Sequence, residues 1–281
     1  MQLIHTIDEV REAVAAARRD GKTIGLVPTM GALHEGHMAL VKQARQDCGF
    51  VGVSVFVNPT QFGPSEDFAQ YPRTLDSDSE MCREAGVDVI FAPNAQEMYP
   101  QGFDSWVEVG GVTQTLEGAF RPTHFRGVTT VCLKLFNVFQ ADRAYFGQKD
   151  YQQLQVIKKM VRDLNAPLEI VPVEIVRESD GLAKSSRNRY LSAEERKAAL
   201  VLSQSLAAGR SAFESGERNA ARVQQAVQAA LDSEPLAATD YAVAVDATTL
   251  EPIDQIERPA VILLAVKIGA TRLIDNTVLH P

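Results

Sequence analysis

The run Phe50-Val-Gly-Val-Ser-Val-Phe-Val57 is β-branched and apolar on both faces. A strand of that character needs cover on both sides, the situation of a central strand in a parallel sheet. Asn58-Pro59 then ends it. The neighbouring segments alternate in the way such a sheet requires. Thr23-Ile-Gly-Leu-Val27 reads as a second buried strand, and a helix follows it over about residues 36–48. Another helix, about 75–85, passes through Gly86 into a strand at Val87-Asp-Val-Ile-Phe-Ala92. Asp142-Arg-Ala-Tyr-Phe146 precedes a helix over 150–164, and Leu168 to Val176 closes the series. Thr6-Ile-Asp-Glu9 has the capping-box pattern, and Ile7, Val10, Val14 and Ala17 recur at helical spacing until Gly21. A further helical stretch, 124–139, is rich in large apolar residues.

This alternation predicts an α/β domain over residues 1–176, a Rossmann-like doubly wound parallel sheet. From Arg177 onward the pattern changes. Ser192-Ala-Glu-Glu195 opens a helix continuing towards Phe213, Gly216 stops it, and a second helix covers about 220–231. Tyr241 to Val245, Ala260 to Lys267 and Leu273 to Val278 read as three short strands. Residues 177–281 are therefore expected to form a smaller α+β domain, joined through the polar stretch 177–189.

Charge and cysteine usage narrow the function. Against 36 Asp and Glu stand 28 Lys and Arg, a formal net charge of −8. That balance argues against a broad nucleic-acid footprint and leaves the cations to act locally. Cys48, Cys82 and Cys132 lie far apart and form no Cys-x-x-Cys pair, so neither a disulfide framework nor a zinc knuckle is indicated. A reduced cytoplasm is the expected compartment. The longest apolar stretch, Ala260 to Val266, is too short to span a bilayer, and the amino terminus lacks a signal-peptide pattern.

The chemistry gathers at strand ends. After the strand at Thr23–Val27 comes Pro-Thr-Met-Gly-Ala-Leu-His-Glu-Gly-His, residues 28–37. A Gly-containing turn at a helix mouth offers backbone N–H donors, the positive end of a helix dipole and two imidazoles, His34 and His37, to one anion. Their spacing of three keeps both rings on one helix face. Zinc is the weaker reading, since Met38 stands where a second ligand would follow His34.

Phe146-Gly-Gln-Lys-Asp150 forms a second strand-to-helix junction, where open α/β sheets bind ligands. Lys149 is suited to a phosphate, and Asp150 either to capping the next helix or to a ribose hydroxyl. Lys184-Ser-Ser-Arg-Asn-Arg189, close after Ser179-Asp-Gly181, reads either as a mobile phosphate clamp or as a solvated loop. Asn58-Pro-Thr-Gln-Phe62 brings the uncharged amides of Asn58 and Gln61 to the same sheet edge, for a small polar acid or for a simple Asx-type turn with Gln61 in solvent. For His124 and Arg126, helix capping and substrate contact are both open.

The histidine motif resembles the His-x-Gly-His signature of the nucleotidyltransferase superfamily. Taken jointly and in order, the blocks 28–37, 56–62, 146–151 and 185–188 resemble the pantoate:beta-alanine ligase family, also called pantothenate synthetase, over nearly the whole chain. The resemblance implies that pantoate and MgATP form pantoyl adenylate and pyrophosphate, and that beta-alanine then displaces AMP. It also implies an ATP site at Met30, Gly31, Ala32, Leu33, His34, Glu35, Gly36 and His37, with Gly147, Gln148, Lys149, Asp150, Val176, Lys184, Ser185, Ser186 and Arg187. His34, His37, Lys149, Ser185, Ser186 and Arg187 would act on the reacting phosphates. Pantoate would lie against Met30, Asn58, Gln61 and Gln153. Mg²⁺ would accompany ATP, its protein ligands unassigned, and a homodimer is expected. Lys184 departs from the family, which commonly has Met there. The competing reading is a nucleotidyltransferase that retains the nucleotide in its product, and a non-catalytic nucleotide sensor is the third.

Overall fold

The computed structural model describes residues 1–64 and 66–281. The chain divides into two compact units, one of Met1–Gln148 with Val156–Glu174 and the other of Lys149–Gln155 with Ile175–Pro281.

The first unit is a six-stranded sheet: β1 (Gln2–Ile4), β2 (Ile24–Thr29), β3 (Phe50–Val55), β4 (Val89–Phe91), β5 (Arg143–Gly147) and β6 (Glu169–Val173). Its order is β1-β4-β3-β2-β5-β6, with every neighbouring pair parallel. Helices α1 (Ile7–Arg19), α2 (Glu35–Asp47), α3 (Leu75–Glu84), α4 (Ala95–Met98), α5 (Glu117–Phe120) and α6 (His124–Phe139) intervene, and α7 (Tyr151–Asp163) links β5 to β6. The strands expected from apolar runs are all present. β3 is buried along almost its entire length, as its two-sided apolarity requires. A Cβ at Gly52 would stand 2.1 Å from the Phe139 ring, so glycine in mid-strand is what lets α6 pack onto β3. β1 is an addition, since three residues are too few to display a period.

Sheet order places a topological switch between β2 and β5. From β2 the chain winds one way through β3 and β4, and from β5 it winds the other way to β6. Ligands of open α/β sheets settle beyond the carboxyl ends of strands at such a point. The strand ends there carry residues 28–37 and residues 147–148.

The second unit folds helices α8 (Ala193–Ala198), α9 (Leu200–Glu214) and α10 (Ala220–Leu231) onto the antiparallel sheet β7 (Ala237–Asp246), β8 (Ala260–Ile268) and β9 (Thr271–Leu279). Leu202, Leu206, Val223, Val227, Ile262 and Leu264 interleave in its core. The helix expected from Ser192 to Phe213 is two helices that meet at Ala199, although the Ser192–Glu195 capping box is present as read. β7 is longer than its apolar pattern suggested, because its first residues are half-exposed and a bulge lies between Thr239 and Tyr241. Among the described residues no helix is long and apolar enough to cross a membrane.

Candidate active site

In the first unit, β2 runs straight into the histidine loop. Thr29 ties the strand end to β3, donating its hydroxyl to the Ser54 carbonyl (2.6 Å) and accepting Gly31 N–H (3.1 Å). Gly31 then turns with φ +81° and Ala32 follows with φ +50°. Asp78 of α3, 1% exposed, holds this irregular backbone. Its Oδ2 accepts Ala32 N–H at 3.0 Å and its Oδ1 accepts Leu33 N–H at 2.8 Å, while the Thr74 hydroxyl lies 3.2 Å from both oxygens. Sequence reading passed over Asp78. The available signal was a carboxylate on the same helix face as Leu75 and Cys82, where an unpaired charge would be costly.

His34 is the N-cap of α2. Its Nδ1 accepts Gly36 N–H (3.1 Å), and Nδ1 of His37 accepts His34 N–H (3.4 Å), a reciprocal capping box with imidazole in place of hydroxyl and carboxylate. The rings lie 4.2 Å apart at 42°. Because both Nδ1 atoms accept, each neutral ring carries its proton on Nε2. This corrects one expectation. The turn is expected to offer backbone N–H donors to an anion, yet the N–H groups of Gly31, Ala32, Leu33, His34 and Gly36 are engaged by the side chains of Thr29, Asp78, His37 and His34. Gly36 is required locally, since a Cβ there would meet His34 Cε1 at 2.8 Å.

Beyond β3, Asn58 is fully buried and caps the short turn Pro59–Gln61. Its Oδ1 accepts from Thr60 N–H (3.3 Å), the Thr60 hydroxyl (2.9 Å) and the Tyr99 hydroxyl (2.8 Å). Its Nδ2 donates to Gln61 Oε1 (3.0 Å) and the Gly127 carbonyl (3.2 Å). Both polar atoms of the Asn58 side chain are thus engaged inside the protein, so the side chain acts on a ligand only through Gln61. The Gln61 side chain points inward, not to solvent: with Oε1 held by Asn58, its Nε2 faces Met30 Sδ at 3.2 Å. One residue of the 28–37 segment and one of the 56–62 segment therefore meet.

His124 is neither a helix cap nor exposed. Its Nδ1–H donates to the Gln61 carbonyl (2.9 Å), and its Nε2 accepts from Arg121 (3.1 Å). Burial, reinforced by the Arg121 charge, pushes its pKa down to about 4. Arg121 in turn grips both carboxylate oxygens of Glu66, at 2.7 and 2.6 Å. Burial alone would raise the Glu66 carboxyl, but these charged hydrogen bonds hold it below its usual value. The chain Glu66–Arg121–His124 thus secures the backbone that bears Gln61. Arg126 stacks over Trp106 at 4.8 Å. Gly147 ends β5 and Gln148 opens the turn that follows.

In the second unit, Lys149 lies 3.9 Å from the Asp150 carboxylate, on the turn leading into α7, with Gln153 half-buried one turn later. The Val176 carbonyl accepts Lys184 N–H (2.9 Å), closing a hairpin whose tip is Gly181 at φ +97°. Ser185 caps the turn Ser186–Tyr190 by accepting Arg187 N–H at 3.3 Å. Lys149, Lys184, Ser185, Ser186 and Arg187 all belong to this unit. Among the described residues no group of three or more His, Cys, Asp or Glu is arranged to hold a metal ion.

An uncharged carboxamide facing Met30 of the loop that carries the paired imidazoles is suited to a small acid and a nucleotide phosphate. Comparisons with known proteins agree with that chemistry. The family model for pantoate-beta-alanine ligase matches residues 2–278. A pantothenate synthetase of Moorella thermoacetica is 56% identical over 280 residues, covering 100% of this chain and 99% of that protein. Its counterpart from Heliobacterium modesticaldum is 55% identical, with both chains covered completely. Among solved structures, pantothenate synthetase from Thermus thermophilus superposes with a TM-score of 0.96 at 48% identity, covering 100% of each chain. Pantoate-beta-alanine ligase from Francisella tularensis, complexed with beta-gamma ATP and beta-alanine, gives a TM-score of 0.79 at 31% identity, covering 99% of this chain and 97% of that one. With its family model matched almost end to end and relatives above half identity over their full length, the chain belongs to the pantoate-beta-alanine ligase family.

Proposed function

We propose that this enzyme condenses pantoate with beta-alanine at the expense of ATP, through pantoyl adenylate, releasing pyrophosphate and AMP. The observation that carries the reading is the Gln61 carboxamide, fixed by Asn58 and facing Met30 of the histidine loop. An uncharged donor there binds a hydroxy acid without neutralising the carboxylate that must attack.

In the first step a pantoate carboxylate oxygen bonds to the α-phosphorus while the bond to pyrophosphate breaks. Both reactants are anionic, so charge on the phosphoryl oxygens is the obstacle. His34 and His37, through Nε2–H, are assigned to those oxygens, and Lys149, Ser185, Ser186 and Arg187 to the remaining phosphate charge. Losing one such preorganised donor typically costs about 3 kcal/mol, roughly a hundredfold in rate. Met30 to His37, Gly147 to Asp150, Val176 and Lys184 to Arg187 are the proposed nucleotide contacts, and Gln61 and Gln153 the pantoate contacts. In the second step the neutral amine of beta-alanine attacks the acyl carbon and AMP leaves.

Mg²⁺ is proposed to enter with ATP as part of the substrate, because Mg²⁺ favours phosphates and waters with one or two carboxylates over an all-protein cage. It would supply charge neutralisation on the phosphates. The carboxy-terminal unit is assigned the role of lid, keeping water from the reactive adenylate. A cytoplasmic homodimer is proposed on family grounds, and sedimentation at micromolar concentration tests its mass.

Labelled pyrophosphate should exchange into ATP when pantoate is present and beta-alanine is not, and free AMP should appear when both are supplied. Exchange indifferent to pantoate would refute the proposal. A product that retains the nucleotide would favour the transferase alternative.

A further inference from the structure

We infer that Asp275 and Asn276, adjacent on β9, form a positioning pair that sets Lys149 and the Ser185–Arg187 turn relative to one another. The inference rests on the proposed role of those groups in holding phosphate, and goes beyond it by naming residues that touch no substrate.

The geometry lies within the second unit. Asn276 Nδ2 donates to the main-chain carbonyl of Lys149 at 2.9 Å, from 127 residues away in sequence. Asp275, 2% exposed, takes both terminal nitrogens of Arg177 at 2.7 and 2.9 Å. Arg177 is the first residue of the 177–183 hairpin, pairing with Ala183, and its Nη1 also donates to the Gly181 carbonyl at 3.0 Å inside that hairpin. On the far side of the turn, Asn188 Nδ2 donates back to the Ala183 carbonyl at 3.1 Å. The residues that carry Ser185, Ser186 and Arg187 are thereby bracketed, and the bracket is anchored on Asp275. β9 also packs against the Ser186–Tyr190 turn.

Two consecutive residues of one strand thus hold two segments far apart in sequence. A strand in a three-stranded sheet deforms little, and the spacing between its adjacent residues is nearly fixed. Lys149 and Arg187 are flexible cations whose usefulness depends on where their main chain sits, and displacement of about 1 Å is enough to lose on the order of a hundredfold in rate. The bidentate Arg177–Asp275 pair adds direction, since a planar guanidinium locked on a buried carboxylate cannot rotate without breaking two bonds. Asp275 and Asn276 are described as positioning residues because each acts through another group.

The test is a double-mutant cycle read by pantoate-dependent pyrophosphate exchange. Asn276→Ala alone should lower the exchange kcat about tenfold or more while the KM for pantoate stays within twofold, with thermal melting confirming a folded chain. Introduced into Lys149→Ala, the same substitution should cost less than twofold, because a displaced backbone no longer carries a side chain that matters. Asp275→Asn should show the same non-additivity with Arg187→Ala, and the Asn276 arm stands alone if Asp275→Asn fails to fold. Equal fold-losses in the two Lys149 backgrounds would overturn the inference while leaving the proposed reaction intact. Exchange unaffected by Lys149→Ala would overturn the phosphate role of Lys149 itself, and the inference with it.

Discussion

Asp78 provides the sharpest test of how the histidine loop is held. Its two carboxylate oxygens accept the amides of Ala32 and Leu33 at 3.0 and 2.8 Å, in a place where water has no access. Asp78→Asn keeps the shape but replaces one acceptor with an NH₂ group facing an N–H donor. One charge-assisted bond is lost, worth roughly 1.5–3 kcal/mol, and one amide is left buried without a partner. A net loss of about 2–3 kcal/mol follows, and at roughly 2–4 °C per kcal/mol for a unit of this size the melting temperature should fall by roughly 5–10 °C. The consequence for catalysis is separate and larger. Ala32 stands at φ +50°, a conformation that an alanine leaves once its amide is released. Residues 31–33 would then relax and carry His34 with them, and a shift near 1 Å is worth on the order of a hundredfold. Pyrophosphate exchange measured well below the melting transition should therefore drop by one to two orders of magnitude in a folded protein. Unchanged melting together with exchange within twofold of wild type would show that Asp78 is a bystander, and the account of the loop would fail.

Other outcomes follow from the same geometry. Gly36→Ala should leave thermal stability unchanged or slightly lowered, since a helix-propensity gain of up to about 1 kcal/mol is offset by loss of the His34 cap bond, worth about 0.5–2 kcal/mol, and it should reduce exchange at least tenfold because its Cβ would lie 2.8 Å from the His34 ring. Gln61→Ala should raise the KM for pantoate far more than that for ATP, and Asn58→Ala should imitate it through the loss of the Gln61 anchor; parallel changes in both KM values would contradict the assignment. His124 supplies a pH signature. Its pKa falls from 6.5 to about 4 on folding, so the unfolded chain binds more protons between those limits, and stability is complete above pH 6.5 and declines as pH drops towards 4. The loss from this group should approach about 3 kcal/mol, and urea unfolding of His124→Gln should show a correspondingly flatter pH dependence; an unaltered slope would refute it.

The fold was legible because its strands are written twice, in apolar runs and in the Gly, Pro and Asn residues that end them. The central position of β3 followed from a single property, apolarity on both faces, and α6 from its length and large side chains. β1 was not legible, because it is short and acquires its order from pairing with β4 at the sheet edge. The break at Ala199 was hidden because no Gly or Pro marks it: alanine is compatible with a helix, and Ala199 itself keeps helical dihedrals, φ −59° and ψ −18°. At the site, the motif residues identified themselves by type, but the groups that hold them did not. Asp78 lies in Leu75-Asp-Ser-Asp-Ser-Glu80, where three acidic residues look alike and only helical phase distinguishes the buried one. His124 was visible as a histidine, but its bond to the Gln61 carbonyl spans 63 residues. Asn276 and Lys149 are separated by twice that distance.

These supports share one physical feature. Ala32, Leu33, Gln61 and Lys149 are each held at a main-chain atom, the first two by Asp78, the others by His124 and by Asn276 respectively. A bond to the backbone fixes where a side chain begins without itself occupying the functional end, which suits imidazole, carboxamide and ammonium groups that must meet a ligand. The converse pattern, side chain bound to side chain, appears at Asn58 and at Glu66–Arg121, groups enclosed by the protein or joined to one another. The difference separates two kinds of conservative substitution. Changes that preserve only shape, such as Asp78→Asn, should fail, because the backbone partner demands a particular acceptor or donor. Changes that preserve hydrogen-bonding sense at a shifted position, such as His124→Gln, should retain measurable exchange near neutral pH, since a carboxamide N–H can still reach the Gln61 carbonyl.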